Sequence, residues 1–168
     1  MVVVDSASPY RIVFVCMGNI CRSPTAEVVF AKLLDDAGLA DKVTIASAGT
    51  GNWHVGDGMD KRARKTLAEA GYDGSRHRAQ QFVADWFEHY DLIVAMDRQN
   101  RWFLEELAPD ADGKAKIRML MSYDPTARAR GELDVPDPYY EDNFADVLAL
   151  VERGCQGLLA EVRAQLAA

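Results

Sequence analysis

The stretch that decides the fold is Arg11-Ile12-Val13-Phe14-Val15-Cys16-Met17-Gly18-Asn19-Ile20-Cys21-Arg22-Ser23-Pro24. Its opening run, Arg11 to Val15, is rich in β-branched and aromatic residues and reads as a short strand. A turn containing Gly18 follows, and Ser23 with Pro24 supplies a cap and a first helical turn. Strand, tight loop and helix start thus follow one another without a spacer. In such a segment the loop N–H groups and the positive end of the helix form a concave anion site. Arg22, at the helix entrance, adds a planar fork that can bind two phosphate oxygens at once, which lysine cannot do. Cys16 stands at the strand exit in the same field. Helix N-termini and neighbouring cations bring thiol pKa values from about 8.5 to roughly 3.5–7.5, favouring the thiolate, which is the nucleophilic form. A cysteine at a strand end, taken alone, is more often a small buried hydrophobe. Here the whole string, with cysteine, five residues, arginine, serine and proline between a strand and a helix, points to a catalytic thiol. With one glycine and no Gly-Lys-Ser/Thr ending, it differs from a nucleotide-binding phosphate loop.

Outward from this segment, strands alternate with helices. Thr25 to Leu34 has helical apolar spacing with Gly38 beyond it as a stop, and Val43 to Ala46 reads as the second strand. Lys61 to Ala70, closed by Gly71, is a second helix, and Phe82 to Phe87 reads as a short third one. Asp91 to Ala95 is a strand, Arg98 to Leu107 a helix stopped before Pro109, and Ile117 to Met121 a fourth short strand. Ser122 to Tyr140 reads as a long irregular stretch. A helix from about Asn143 to Leu166 ends the chain, with Phe144, Val147, Leu148, Val151, Leu158, Leu159 and Val162 along one face. The alternation predicts a three-layer α/β fold, a small parallel sheet of about four strands with helices on both faces. In such sheets ligands bind outside the carboxyl ends of the strands, which again selects the loop after the first strand.

The chain has 168 residues, so a single domain, residues 1–168, is expected, with residues 1–9 as a flexible N-terminal extension. No repeat or low-complexity tract interrupts it. The apolar run near Met1 has no basic flank and is too short for a signal peptide or a spanning helix, so a cytoplasmic protein with no membrane partner is expected. Three cysteines without framework spacing fit a reducing compartment. A net charge of −7 argues against nucleic acid as a partner and means that an anionic substrate needs a local positive pocket. Three scattered histidines offer no spaced ligand pairs, so neither a metal nor another cofactor is expected.

From about Arg11 to Leu159 the chain resembles the low-molecular-weight protein tyrosine phosphatases. Beside Val15 to Pro24, the segment Ser47 to Gly56 is similar to the family's substrate-binding loop, and Asp137-Pro138-Tyr139-Tyr140 to the loop carrying its general acid. Met96-Asp97 after a strand and His77 in its Ser-Arg-His-Arg-Ala-Gln context also match. The resemblance implies hydrolysis of phosphotyrosine on protein substrates through a cysteinyl phosphate on Cys16. Arg22 and the loop residues Met17, Gly18, Asn19, Ile20, Cys21 and Ser23 would bind phosphate, and inorganic phosphate would be product and competitive inhibitor. The chemistry independently asks for a proton donor to the leaving phenolate and a later acceptor from water, roles that fit Asp137. Asn19, Ser23, Ser47 and His77 are the implied supporting network, and Cys21 the implied redox partner of Cys16.

Substrate-binding residues expected on this basis are Trp53, His54, Tyr139 and Tyr140. Read singly, Asp137 would be a turn residue, Trp53 a core aromatic, and His54 and His89 surface residues. Flanked by Gly49, Gly51 and Gly56, however, Trp53 sits in a flexible loop where an exposed ring could stack on a phenyl group. Pro136 stands before the expected acid where many relatives have an acidic residue, and it restricts the residue preceding it. Cys155, in the last helix, reads as core.

Two other functions use the same loop. An arsenate reductase of this fold needs resolving cysteines in a mobile segment well after the loop, and residues 75 to 95 contain none. A phosphotyrosine-binding module without turnover would have little use for Cys16, Arg22 and Asp137 together.

Overall fold

The computed structural model describes residues 8–167, so most of the expected N-terminal extension lies outside the described residues. The strands are β1 (Tyr10–Cys16), β2 (Val43–Gly49), β3 (Leu92–Ala95) and β4 (Ile117–Met119). All pair in parallel, in the order β2-β1-β3-β4. The helices are α1 (Arg22–Asp36), α2 (Lys61–Glu69), α3 (Trp86–His89), α4 (Arg98–Leu107), α5 (Ala111–Ala115), α6 (Pro125–Arg130) and α7 (Phe144–Ala167).

The two-residue periodicity of a strand separates the core into two layers. Ile12, Phe14 and Cys16 of β1 join Leu92 and Val94 of β3 on one face, under Phe30 of α1, Leu67 of α2 and Val151 of α7. Val13 and Val15 join Ile93 and Ala95 on the other, with Phe87 of α3 and Leu104 of α4. Both faces are covered, which is the three-layer α/β fold the sequence predicts. Among the described residues no helix is long and apolar enough to cross a membrane.

The strand order places the site. From β1 the chain moves to one side for β2 and then crosses back to the other side for β3. The loops leaving β1 and β3 therefore diverge over a crevice at the carboxyl ends, the topological switch point. Cys16 closes β1, and Asp97 comes two residues after the end of β3.

Several expectations need correction. The fourth strand ends at Met119, and Leu120–Tyr123 is a 3-10 turn that directs the fully buried Leu120 and Met121 into the α1/α7 layer. The short third helix is Trp86–His89, displaced toward the carboxyl end from Phe82 to Phe87, because Phe82 is held in the sheet layer by its N–H to the Gly49 carbonyl. The stretch read as irregular contains α6, capped by Asp124, opened by Pro125 and closed by Gly131 at φ 68°. The stop at Gly38 is observed, with φ 71°.

Candidate active site

The loop between β1 and α1 turns on Asn19, whose φ of 57° lies in the left-handed region that asparagine tolerates. Every polar group of this fully buried residue is used. Its N–H donates to Cys16 Sγ at 3.3 Å, its Nδ2 to Ser23 Oγ at 2.8 Å and Ser47 Oγ at 3.0 Å. Its Oδ1 accepts from the Gln80 N–H at 2.9 Å, and its carbonyl accepts from His77 Nε2 at 2.6 Å. That last bond fixes the proton on Nε2, and burial holds the His77 pKa below its ordinary value despite the Asn19 carbonyl, so the ring is neutral at pH 7. Ser47 in turn donates to Glu27 Oε1 at 2.6 Å.

Ser23 corrects one expectation. The helix starts at Arg22, its capping residue is Cys21, and no side chain caps it. The Ser23 hydroxyl instead lies 2.9 Å from Cys16 Sγ. Because Ser23 Oγ already accepts from Asn19, its proton is free for the sulfur, with the Ala48 carbonyl at 3.4 Å the more distant alternative. Sγ therefore faces two donors, Ser23 O–H and Asn19 N–H. Among the described residues, the N–H groups of Met17, Gly18, Ile20 and Cys21 donate to no backbone carbonyl. They remain for an anion at the helix end.

Arg22 is 3% exposed, so its guanidinium must be paired where it lies. Nη1 donates to Asp97 Oδ2 at 2.6 Å and to the Val135 carbonyl at 3.0 Å. Nη2 stands 3.8 Å from Asp137 Oδ2. Burial works against the charge, but Cys16 and the hydrogen-bonded Asp97 outweigh it and keep the Arg22 pKa above its ordinary value. Asp97 has a second task. Its Oδ1 accepts from the Asn100 N–H at 2.7 Å and caps α4, so one carboxylate ties the arginine to the start of that helix.

A cavity of about 310 Å³ opens above Cys16 and Arg22. The expected binding residues Trp53, His54, Tyr139 and Tyr140 line its walls, as do Met17, Gly18, Ile20, Cys21 and Asp137. Trp53 is 70% exposed, which removes it from the core, and its ring lies where a Cβ at Gly51 would project. The loop bearing it is fastened to the phosphate loop by Thr50 N–H to the Cys16 carbonyl and Gly51 N–H to the Met17 carbonyl. A side chain at Gly49 would come within 2.7 Å of the Met17 carbonyl, so the two loops meet through a glycine. His54 bonds Asp57 at 3.2 Å and faces the cavity, closer to the site than a lone surface histidine. Asp137 Oδ1 accepts from the Tyr139 N–H at 3.1 Å. Just before Pro136, Val135 is pinned by its N–H to the Met96 carbonyl and by its own carbonyl to Arg22. The proline thus extends a segment already fixed.

Over residues 11–168 the chain matches the family model for low molecular weight phosphotyrosine protein phosphatases. The chain belongs to this family. It is 52% identical over 159 residues to the low molecular weight protein-tyrosine-phosphatase of Streptomyces coelicolor, covering 94% of this chain and 96% of that protein. Among solved structures it is similar to YfkJ from Bacillus subtilis, with TM-score 0.89 and 35% identity over 94% of this chain and 97% of that one. A protein tyrosine phosphatase from Entamoeba histolytica, solved with Hepes in the active site, aligns with TM-score 0.86 and 34% identity, covering 93% and 98%.

Sequence reasoning missed Glu27 and Gln80, which complete the Asn19 network, and the pairing of Asp97 with Arg22. It left two thiols for the structure to place. Burial, then Asp60 and Cys16, push the Cys21 thiol up, so it stays protonated beside the nucleophile. Cys155 is fully buried in α7 with its Sγ 3.8 Å from the Ala26 carbonyl, a core residue as expected.

Proposed function

We propose that this chain hydrolyses phosphotyrosine monoesters on proteins in two steps, with Cys16 as nucleophile, Arg22 as phosphate clamp and Asp137 as proton carrier. The observation that supports it is Cys16 Sγ at the floor of an aromatic-walled cavity, held by Ser23 and Asn19, with Arg22 and Asp137 beside it. In the first step the thiolate attacks phosphorus, the S–P bond forms, the P–O bond to the phenol breaks, and Asp137 gives its proton to the phenolate. In the second step water attacks phosphorus, Asp137 takes the proton, the S–P bond breaks and inorganic phosphate leaves. That product would compete with substrate for the same loop. Arg22 Nη2 and the free loop N–H groups hold the equatorial oxygens as charge redistributes. The aromatic lining of the cavity suits an aryl ester, with Trp53, His54, Tyr139 and Tyr140 against the ring and its flanks.

We take residues 1–168 as one phosphatase domain, supported by the family match from residue 11 onward. Three free, buried thiols suit a reducing, cytoplasmic setting. We infer that Cys21, five residues on in the same loop, captures oxidised Cys16. Peroxide converts the Cys16 thiolate to a sulfenic acid, and the Cys21 thiol displaces water to close a disulfide that added thiol reopens. Mass spectrometry after peroxide should find this loop disulfide, and Cys21→Ser should become harder to rescue.

The main test is turnover on matched phosphotyrosine, phosphoserine and phosphothreonine peptides by the wild type and Cys16→Ser. Phosphotyrosine should be strongly preferred and the variant should retain under about one per cent of the rate, since an alcohol without a base is a poor nucleophile. Retained activity in the variant would overturn the assignment.

A further inference from the structure

Arg62, in the first turn of α2, does not line the cavity, yet it joins both halves of the site. Its Nη2 and Nε lie 3.1 and 3.3 Å from Asp60 Oδ2 and Oδ1. Asp60 caps α2 and sends its own N–H to the Ile20 carbonyl in the phosphate loop at 2.9 Å. On the other side, the Arg62 guanidinium lies 5.4 Å from the Tyr139 ring centroid and 4.7 Å from the Phe144 ring centroid. Its Nη1 is also 3.8 Å from Asp142 Oδ1. Asp142 has φ 57°, so the segment between Asp137 and α7 makes a left-handed turn beside this cation.

We infer that Arg62 is a positioning residue for proton transfer, acting through Tyr139 to hold Asp137 at the mouth of the cavity. The link is short. The Tyr139 N–H bonds Asp137 Oδ1 at 3.1 Å, so a shift of Tyr139 shifts the carboxyl group, whose other polar restraint among the described residues is Arg22 Nη2 at 3.8 Å. A guanidinium suits the place because its plane can stack on aromatic rings while its edge takes a carboxylate bidentately. A lysine ammonium cannot do both. The inference rests on the reading of Asp137 as the proton carrier.

The test compares the wild type with Arg62→Lys and Phe144→Leu, the second of which removes a ring from the clamp without touching the cavity lining. Aryl phosphates with leaving phenols of graded pKa are turned over in each background, alone and combined with Asp137→Asn. Because small displacements of a catalytic group can cost orders of magnitude, kcat/KM, which reports the step that releases the phenol, should fall roughly tenfold for the most basic phenols and less than about twofold for the most acidic. In the Asp137→Asn background neither substitution should alter the leaving-group dependence further. An equal loss for all phenols, or the same loss with and without Asp137, would overturn the inference and leave Arg62 a structural clamp. Asp137→Asn alone reports separately on the parent reading. If that variant shows no leaving-group dependence, the proton-carrier assignment fails whatever Arg62 does.

Discussion

The phosphate loop and the acid segment face each other across one cavity and are built by opposite means. From Cys16 to Ser23, the residues other than Met17 and Gly18 are buried, and Asn19 alone forms five hydrogen bonds with side chains and backbone. From Asp137 to Tyr140, Pro138 is buried and Asp137 half-buried while Tyr139 and Tyr140 are exposed, Tyr140 at 88%, and among the described residues Asp137 has one short hydrogen bond and one longer ion pair. Under the proposed reaction, the difference follows from the chemistry each half would perform. Charge stabilisation at phosphorus gains from donors fixed before substrate arrives. A proton carrier must serve a phenolate in one step and a water molecule in the next, so it stands at the edge where both can reach it.

Substitutions that separate the two halves sharpen this comparison. Arg22→Lys should give the larger effect, a loss on the order of a hundredfold or more in kcat/KM whatever the leaving group. A single ammonium cannot satisfy Asp97, the Val135 carbonyl and two phosphate oxygens together. Steady-state rates on a series of aryl phosphates check it, and near-normal turnover would mean that the fork is not used bidentately. Asp137→Asn should lose about a hundredfold in kcat/KM for basic phenols and little for acidic ones, since kcat/KM reports only the step that releases the phenol. A uniform loss there would erase the contrast between the halves and send the search to another acid.

The smallest effect concerns pH and belongs to the buried half. Burial holds the His77 pKa below its ordinary value, so on acidification the unfolded chain takes up this proton first. Its contribution to stability is therefore complete above about pH 6.5 and declines as pH falls below that value. Urea midpoints between roughly pH 7.5 and 5 should show the decline. His77→Gln, which can still donate to the Asn19 carbonyl, should flatten it, and an unchanged slope would assign the decline to other groups.

What the sequence could disclose tracks how local each feature is. Cys16, Arg22 and the strand-loop-helix order lie within one segment, so spacing alone exposed them. The pairing of Arg22 with Asp97 spans 75 positions, and that of Ser47 with Glu27 spans 20, so no periodicity reports them. Ser23 was misread because serine before proline at a helix start is the usual capping signal, while here the buried sulfur competes successfully for its hydroxyl. α5 and α6 are too short to establish an apolar rhythm, yet Asp124-Pro125 with Gly131 carried a cap, a first-turn proline and a stop that local chemistry could have recognised. Tyr139 and Tyr140 were found only through their neighbours in sequence, since exposed rings leave no periodic trace.

The left-handed turn at Asn19 also bears on timing. With the dihedral angles and all the polar groups of Asn19 fixed by the surrounding fold, the loop has its conformational entropy removed when the chain folds and not when an anion arrives. An incoming phosphate meets a finished socket, so its capture is governed by encounter and desolvation. Any slow rearrangement in the catalytic cycle is left to the opposite wall, where Tyr139 and Tyr140 are exposed.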